Sequence, residues 1–156
     1  MANNYQQHSF MIDNLTPMEA YWLNKKFDEI EEGNDDSEGE YICIGSTEFE
    51  GGNFAYDPPL EDGKEPVAEQ IKEHPKSLWV YAEEGCDLES LVDLLQDFLK
   101  KNRPDSYLGF EWANTCSKMR LDEFSGGAVF ITADKADWIS TYDFLETKRK
   151  AFEAVK

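Results

Sequence analysis

The chain has 156 residues, 40% of them hydrophobic and 13% aromatic, and its 33 acidic and 15 basic side chains give a formal net charge of −18. This apolar content is enough for one folded domain and argues against wholesale disorder. The charge argues against direct binding to DNA, RNA or anionic lipid, which would all repel it. It also exceeds the charge of about 2–8 that solubility requires. A basic partner or a high-salt habitat would explain the excess, and simple solvation of the acids is the alternative.

Three cysteines, Cys43, Cys86 and Cys116, are odd in number and too widely spaced to predict a zinc site. The first residues are polar and lack the basic start and apolar run of a signal peptide. No stretch approaches the ~18 consecutive apolar residues of a membrane-spanning helix. We therefore predict a reduced, cytoplasmic protein without metal or other cofactor. It would consist of a flexible arm at residues 1–12 and a single acidic α+β domain at residues 13–156.

In the first half, residues 16–19 (TPME) have the composition of a capping box and predict a helix that ends near Gly33. A short run rich in β-formers predicts a strand at residues 41–45. Residues 46–66 contain Gly and Pro breakers and predict mostly loop, and residues 67–73 predict a short helix.

In the second half, residues 77–82 predict a strand, and a helix follows from Asp87. Strands at residues 106–113 and 128–132 are expected to pair as a long hairpin, and a final helix is expected to start at Asp134. The expected fold class is therefore α+β. It would have a mostly antiparallel sheet of about four strands, helices packed on one face, and a ferredoxin-like βαββα portion.

The charge is concentrated in the N-terminal half. Residues 1–75 hold 18 acids and 4 bases, a net charge of −14, whereas residues 76–156 hold 15 acids and 11 bases, a net charge of −4. Residues 28–40 alone contain eight carboxylates and no base. The predicted partner-binding residues are these carboxylates and an aromatic side chain upstream of them, with Tyr21 as its alternative: Asp28, Glu29, Glu31, Glu32, Asp35, Asp36, Glu38, Glu40 and Trp22.

Two other kinds of site can be weighed from the sequence. A calcium loop that starts at Asn34 would place Gly45 at its twelfth position, where an EF-hand requires a bidentate Glu. In residues 114–127, Lys118 and Arg120 would favour the thiolate of Cys116, and Asp122 is close in sequence. The loop could therefore be the site of a small enzyme. Because neither histidine is adjacent to complete a dyad, it is a weaker candidate than the acidic residues.

Residues 114–127 (NTCSKMRLDEFSGG) and the AVFIT that follows resemble segments of small uncharacterised acidic proteins encoded by bacteriophages and mobile elements. The resemblance covers roughly residues 78–133, includes no catalytic motif, and implies only a source. Charge and resemblance together predict a non-enzymatic binding protein. One specific form is a nucleic-acid mimic that blocks the basic groove of a host defence protein, of the anti-restriction or anti-CRISPR type, in the bacterial cytoplasm. The alternatives are the small enzyme and an assembly subunit that buries its exposed aromatics in an oligomer.

Overall fold

The computed structural model describes residues 4–36, 43–121 and 123–155, with three α-helices and eight strands in that part of the chain. A short 3-10 turn occupies Ala68–Gln70. In chain order the elements are β1 (Asn4–Ile12), α1 (Pro17–Asp36), β2 (Ser46–Glu50), β3 (Ala55–Tyr56), β4 (Ile71–Glu73), β5 (Ser77–Ala82), α2 (Leu88–Asn102), β6 (Tyr107–Cys116), β7 (Ser125–Thr132), β8 (Ala136–Ser140) and α3 (Thr141–Ala154).

Six strands form one sheet in the order β2-β5-β1-β6-β7-β8, and β3 pairs with β4 separately. Every neighbouring pair in the large sheet is antiparallel. The α+β class and the mostly antiparallel sheet are therefore confirmed, but the predicted count of about four strands is too low. Because β5 and β6 run parallel on either side of β1 and are connected by α2, they form a split β–α–β unit, which occurs in ferredoxin-like folds. The ferredoxin-like arrangement as a whole stays a prediction.

The core lies between one face of the large sheet and the helices α1 and α2. Strand β5 alternates buried and half-buried positions, and Leu78 and Val80 point into the core. In α2, Asp87 caps the helix by accepting a hydrogen bond from Ser90 N at 3.1 Å. The apolar face of α2 buries six side chains, Leu91, Val92, Leu94, Leu95, Phe98 and Leu99. The helix predicted from Asp87 is thus confirmed.

The flexible arm predicted at residues 1–12 is wrong for residues 4–12, which form β1. This strand lies between β5 and β6 and pairs with both. In β1 every second side chain, at His8, Phe10 and Ile12, faces the helices. The polar composition of the segment hides this alternation. Pairing on both sides supplies hydrogen bonds that no local sequence pattern reveals.

The region between α1 and β5 also differs from the prediction. Residues 43–45 belong to no strand, and residues 41–42 lie outside the described part of the chain. Strand β2 falls inside the predicted loop and pairs with β5 at the edge of the large sheet. In place of the short helix predicted at residues 67–73, the 3-10 turn leads directly into β4.

The C-terminal region contains one strand more than predicted. Helix α3 begins at Thr141 rather than at Asp134, and Ser140 caps it by accepting a hydrogen bond from Asp143 N at 3.1 Å. The preceding residues form β8, which pairs with β7 at the other edge of the sheet. The predicted hairpin is confirmed, and β6 and β7 are longer than predicted because part of the connection extends the ribbon.

The N-terminus of α1 is fixed by the predicted capping box and by an ion pair. Thr16 N donates to Glu19 Oε1 at 2.9 Å, and Glu19 N donates to Thr16 Oγ1 at 3.2 Å. Arg103, which caps the C-terminus of α2, donates from Nε to Glu19 Oε2 at 2.6 Å. Its guanidinium also lies 5.4 Å from the centre of the Phe98 ring. This contact joins the start of α1 to the end of α2.

Candidate binding surface

The predicted acidic residues occupy the second half of α1. Asp28, Glu29, Glu31 and Glu32 are exposed. Asp35 and Asp36 end the helix, and only their backbone is described. Glu38 and Glu40 lie outside the described residues, as does most of the segment considered for calcium binding.

Helical geometry places these acids in a dense row. Six carboxylates fall within residues 28–36, which span about 12 Å of helix axis at 1.5 Å per residue. This is about one negative charge per 2 Å of axis, close to the one per ~1.7 Å of duplex DNA. The two lysines of α1 precede the row: Lys26 pairs with Glu29 at 3.4 Å, and Lys25 pairs with Glu65. Within the described residues, Asp28, Glu31 and Glu32 have no ion-pair partner.

The acidic row is unfavourable for the helix itself. The last turn of α1 contains no base, although the helix dipole favours cations at that end. Acids spaced four residues apart, such as Asp28 and Glu32, repel one another by about 0.2–0.5 kcal/mol per pair. Helix stability therefore does not explain the row.

Trp22 does not lie freely on the surface. Its ring is half-buried against the core and lies 5.8 Å from the ring of Phe98. The ammonium group of Lys26 lies 5.7 Å from the centre of the indole ring. Trp22 therefore holds α1 against α2, and its role as an anchor for a partner stays a prediction.

The structure brings two further acids to this region, Glu83 and Glu84, which the sequence did not single out. They follow β5 and line a cleft of about 650 Å³ together with Asp28 and Glu31 of α1. Apolar side chains such as Phe27 and Ile44, together with small and polar residues, complete its walls, and no Lys or Arg is among the described residues that line it. Glu-Glu-Gly directly after a predicted strand is typical of an exposed acidic turn, but the sequence does not show what such a turn faces. Only the packing of α1 beside β5 shows that the turn faces the predicted row.

The cleft has a tight backbone floor at Gly45. This residue has a positive φ of 98°, and a Cβ placed there would come within 2.7 Å of the carbonyl oxygen of Tyr81. Glycine is the residue that tolerates both conditions. The acidic cleft is therefore shaped by the backbone as well as by its carboxylates.

The loop between β6 and β7, proposed in the alternative as an enzyme site, brings a thiol and a carboxylate together in its described part. Cys116 Sγ donates a hydrogen bond to Glu123 Oε2 at 2.8 Å, so its neighbour is a carboxylate. His8 is opposite Trp112, four residues along β6 from Cys116, which is about 13 Å away at the rise of a strand. Lys118 and Arg120 are exposed, and Asp122 lies outside the described residues.

His8 is buried, with an exposed fraction of 5%, rather than lying in a polar arm. Its ring lies 5.8 Å from that of Phe10 and 5.4 Å from that of Phe110. Neither ring nitrogen has a hydrogen-bond partner among the described residues. Burial lowers the pKa of His8 below its ordinary value of 6.5, so the neutral imidazole is the form that fits this site.

Within the described residues, no cluster of three or more His, Cys, Asp or Glu side chains is arranged to hold a metal ion. No helix in the same part of the chain has the length and apolar character needed to span a bilayer. Comparisons with protein-family models, curated proteins and solved structures gave no match to this chain.

Proposed function

We propose that this protein is a non-enzymatic binding protein whose acidic row on α1 occupies the basic groove of a nucleic-acid-binding partner. The single observation that supports this proposal best is the density of carboxylates along the C-terminal half of α1, which approaches that of duplex DNA. Glu83 and Glu84 extend the negative surface sideways from the helix. A groove that binds phosphates with Lys and Arg would be attracted to the same charge pattern.

The physical chemistry of such binding has a recognisable signature. A concentrated field speeds the encounter with an oppositely charged partner, and its effect weakens as salt screens it. In the more specific form of the proposal, the partner is a host restriction or CRISPR protein. The chain would then act in the cytoplasm of a bacterium as a bacteriophage or mobile-element product. This form depends on the charge and on the resemblance of residues 78–133.

The experiment compares two pairs of charge reversals with identical spacing. Asp28→Lys with Glu32→Lys changes the acidic row, and Asp93→Lys with Asp97→Lys makes the same change on the exposed side of α2. Each immobilised protein is incubated with bacterial lysate at low salt and eluted with a salt gradient and, separately, with duplex DNA. We expect the wild type and the α2 variant to retain a basic protein that either eluent releases, and the α1 variant to lose it.

Circular dichroism serves as the folding control. The α1 substitutions should preserve the helix, because they remove repulsion between like charges and place cations near its C-terminal end. Between about 50 and 200 mM salt, we expect the affinity of the captured protein to fall by about tenfold or more. Affinity that does not respond to salt, or equal loss in the two variants, would overturn the proposal.

A further inference from the structure

The face of the large sheet opposite α1 and α2 carries an apolar surface in its C-terminal half. On β6–β8, the side chains of Tyr107, Phe130 and Ile139 are 64%, 47% and 56% exposed. Tyr107 and Phe130 stack, with ring centres 5.0 Å apart. These residues alternate with Leu108, Val129 and Ile131, which face the core, so they lie on the open side of the sheet.

Helix α3 borders this surface without covering it. None of its residues is buried, and Phe144 and Leu145 are 51% and 65% exposed. Both line a depression of about 810 Å³ whose floor includes Ala128 and Ile139. We call the surface formed by Tyr107, Phe130, Ile139, Phe144 and Leu145 the C-terminal face.

The area of the C-terminal face suits a protein interface. Its five large side chains, each of about 200 Å² and each roughly half exposed, present about 500 Å² of apolar surface. This is at the upper end of the largest apolar patch on a typical monomer, about 300–600 Å². With the floor of the depression and a polar rim, it approaches the ~800 Å² per partner that a standard-sized interface buries.

The charge around the C-terminal face indicates what kind of partner it fits. Residues 141–155 contain three acids and three bases, so α3 is neutral in a chain of charge −18. Within the described residues, Lys148 and Lys150 form no ion pair, and the ammonium group of Lys148 lies 5.7 Å from the centre of the Phe144 ring. Glu111, which lines the depression, also has no ion-pair partner in that part of the chain. A surface that contains lysines and a carboxylate outside any ion pair is complementary to itself in charge, as a two-fold interface requires.

The fold also separates the C-terminal face from the repelling charge. The acidic row lies on α1, on the other side of the sheet and beside the end of β5, which is two to four strand spacings, about 10–19 Å, from β6–β8. That distance exceeds the Debye length of about 8 Å at physiological ionic strength. Two copies that meet through the C-terminal face therefore keep their most acidic segments apart.

We propose that the C-terminal face is a homodimer interface, in which α3 of each copy packs on the open sheet face of the other and Lys148 approaches Glu111 of the second copy. The acidic row remains exposed on both copies. Since the apolar contact is opposed by the repulsion between two chains of charge −18, added salt should strengthen the dimer. Salt should weaken the binding described under the proposed function, so the two proposals can fail independently.

Sedimentation velocity of the full chain at about 50 µM, in about 0.15 M and about 1 M NaCl, tests the proposal. The chain mass is 18.0 kDa, and we expect a species of twice that mass whose dissociation constant falls with salt. Leu145→Glu should raise the dissociation constant at least tenfold. Val67→Glu is the matched control, because Val67 is 62% exposed and lies outside the C-terminal face.

A second pair of variants tests the packing arrangement while the fold is monitored by circular dichroism. Glu111→Lys and Lys148→Glu should each weaken the dimer several-fold, and the two together should restore it. A monomeric wild type at both salt concentrations would overturn the proposal. So would a dimer that Leu145→Glu leaves intact, or a double charge reversal that fails to restore association.

Discussion

Replacing Arg103 with Ala removes one partner of the ion pair that fixes the start of α1. Arg103 donates to both oxygens of the Glu19 carboxylate, at 2.6 and 3.1 Å, and Nη2 donates to the carbonyl oxygens of Asp13 and Asn14. In Arg103→Ala, the buried carboxylate keeps only Thr16 as a partner. Breaking a buried pair costs about 3–5 kcal/mol. Because Arg103 is 22% exposed, water can reach the carboxylate, and we expect about 3 kcal/mol.

Glu19→Gln provides the second arm of a double-mutant cycle. A glutamine can still accept the hydrogen bond of the capping box, so the change mainly removes the charge and should cost about 1 kcal/mol. In the double variant no charge is left buried without its partner, and we expect a coupling energy of about 2 kcal/mol. Urea unfolding at pH 7, followed by tryptophan fluorescence, measures all four proteins.

The pH dependence gives an independent check. Burial alone raises the pKa of Glu19, but the hydrogen bonds from Arg103 and Thr16 and the charge of Arg103 outweigh it, so the pKa lies below its ordinary value of 4.5. A carboxyl group whose pKa is lowered in the folded state stabilises the protein fully above the unfolded pKa and loses this effect as pH falls through the folded pKa. The difference between the wild type and Arg103→Ala should therefore shrink from pH 7 to about pH 3. A cost or coupling below about 0.5 kcal/mol, or a difference that is independent of pH, would refute the reasoning.

Three further predictions concern single side chains. Burial lowers the pKa of His8, so the wild type should lose stability as pH falls below about 6.5, by up to about 1.4 kcal/mol per pH unit, and His8→Phe should remove this loss. Urea unfolding between about pH 7 and 5.5 measures it, and an equal dependence of the unfolding free energy on pH in both proteins would contradict the prediction. Gly127→Ala would place a methyl group against the Trp112 ring and the carbonyl oxygen of Ile139 and should cost about 1–3 kcal/mol, so an unchanged melting temperature counts against the packing. Burial raises the pKa of Cys86 to about 12, so iodoacetamide at about pH 8 should modify this thiol far more slowly in the native protein than in urea. Mass spectrometry measures the two rates, and equal rates would show that the thiol is not buried.

Some of the predictions depended only on residues that are close together in the sequence. The capping box at residues 16–19 and the helix from Asp87 are local devices, whose partners lie within a few residues, and both were correct. The β6–β7 hairpin was also predictable, because its alternating apolar residues flank one connection. Asp28, Glu29, Glu31 and Glu32 were correctly expected at the surface, since their charges cannot be buried without partners.

The sequence by itself determined the α+β class, the presence of α1, α2 and α3 and the concentration of charge in the first half, because these depend on composition and short-range periodicity. The helix that it also predicted at residues 67–73 is absent. Only the tertiary structure decided that the polar residues 4–12 form a strand inside the sheet, and that β8 precedes α3. Strand pairing joins residues far apart in the chain, and local propensity carries little of that information. The same long-range packing places Glu83 and Glu84 beside the acidic row and leaves the C-terminal face uncovered.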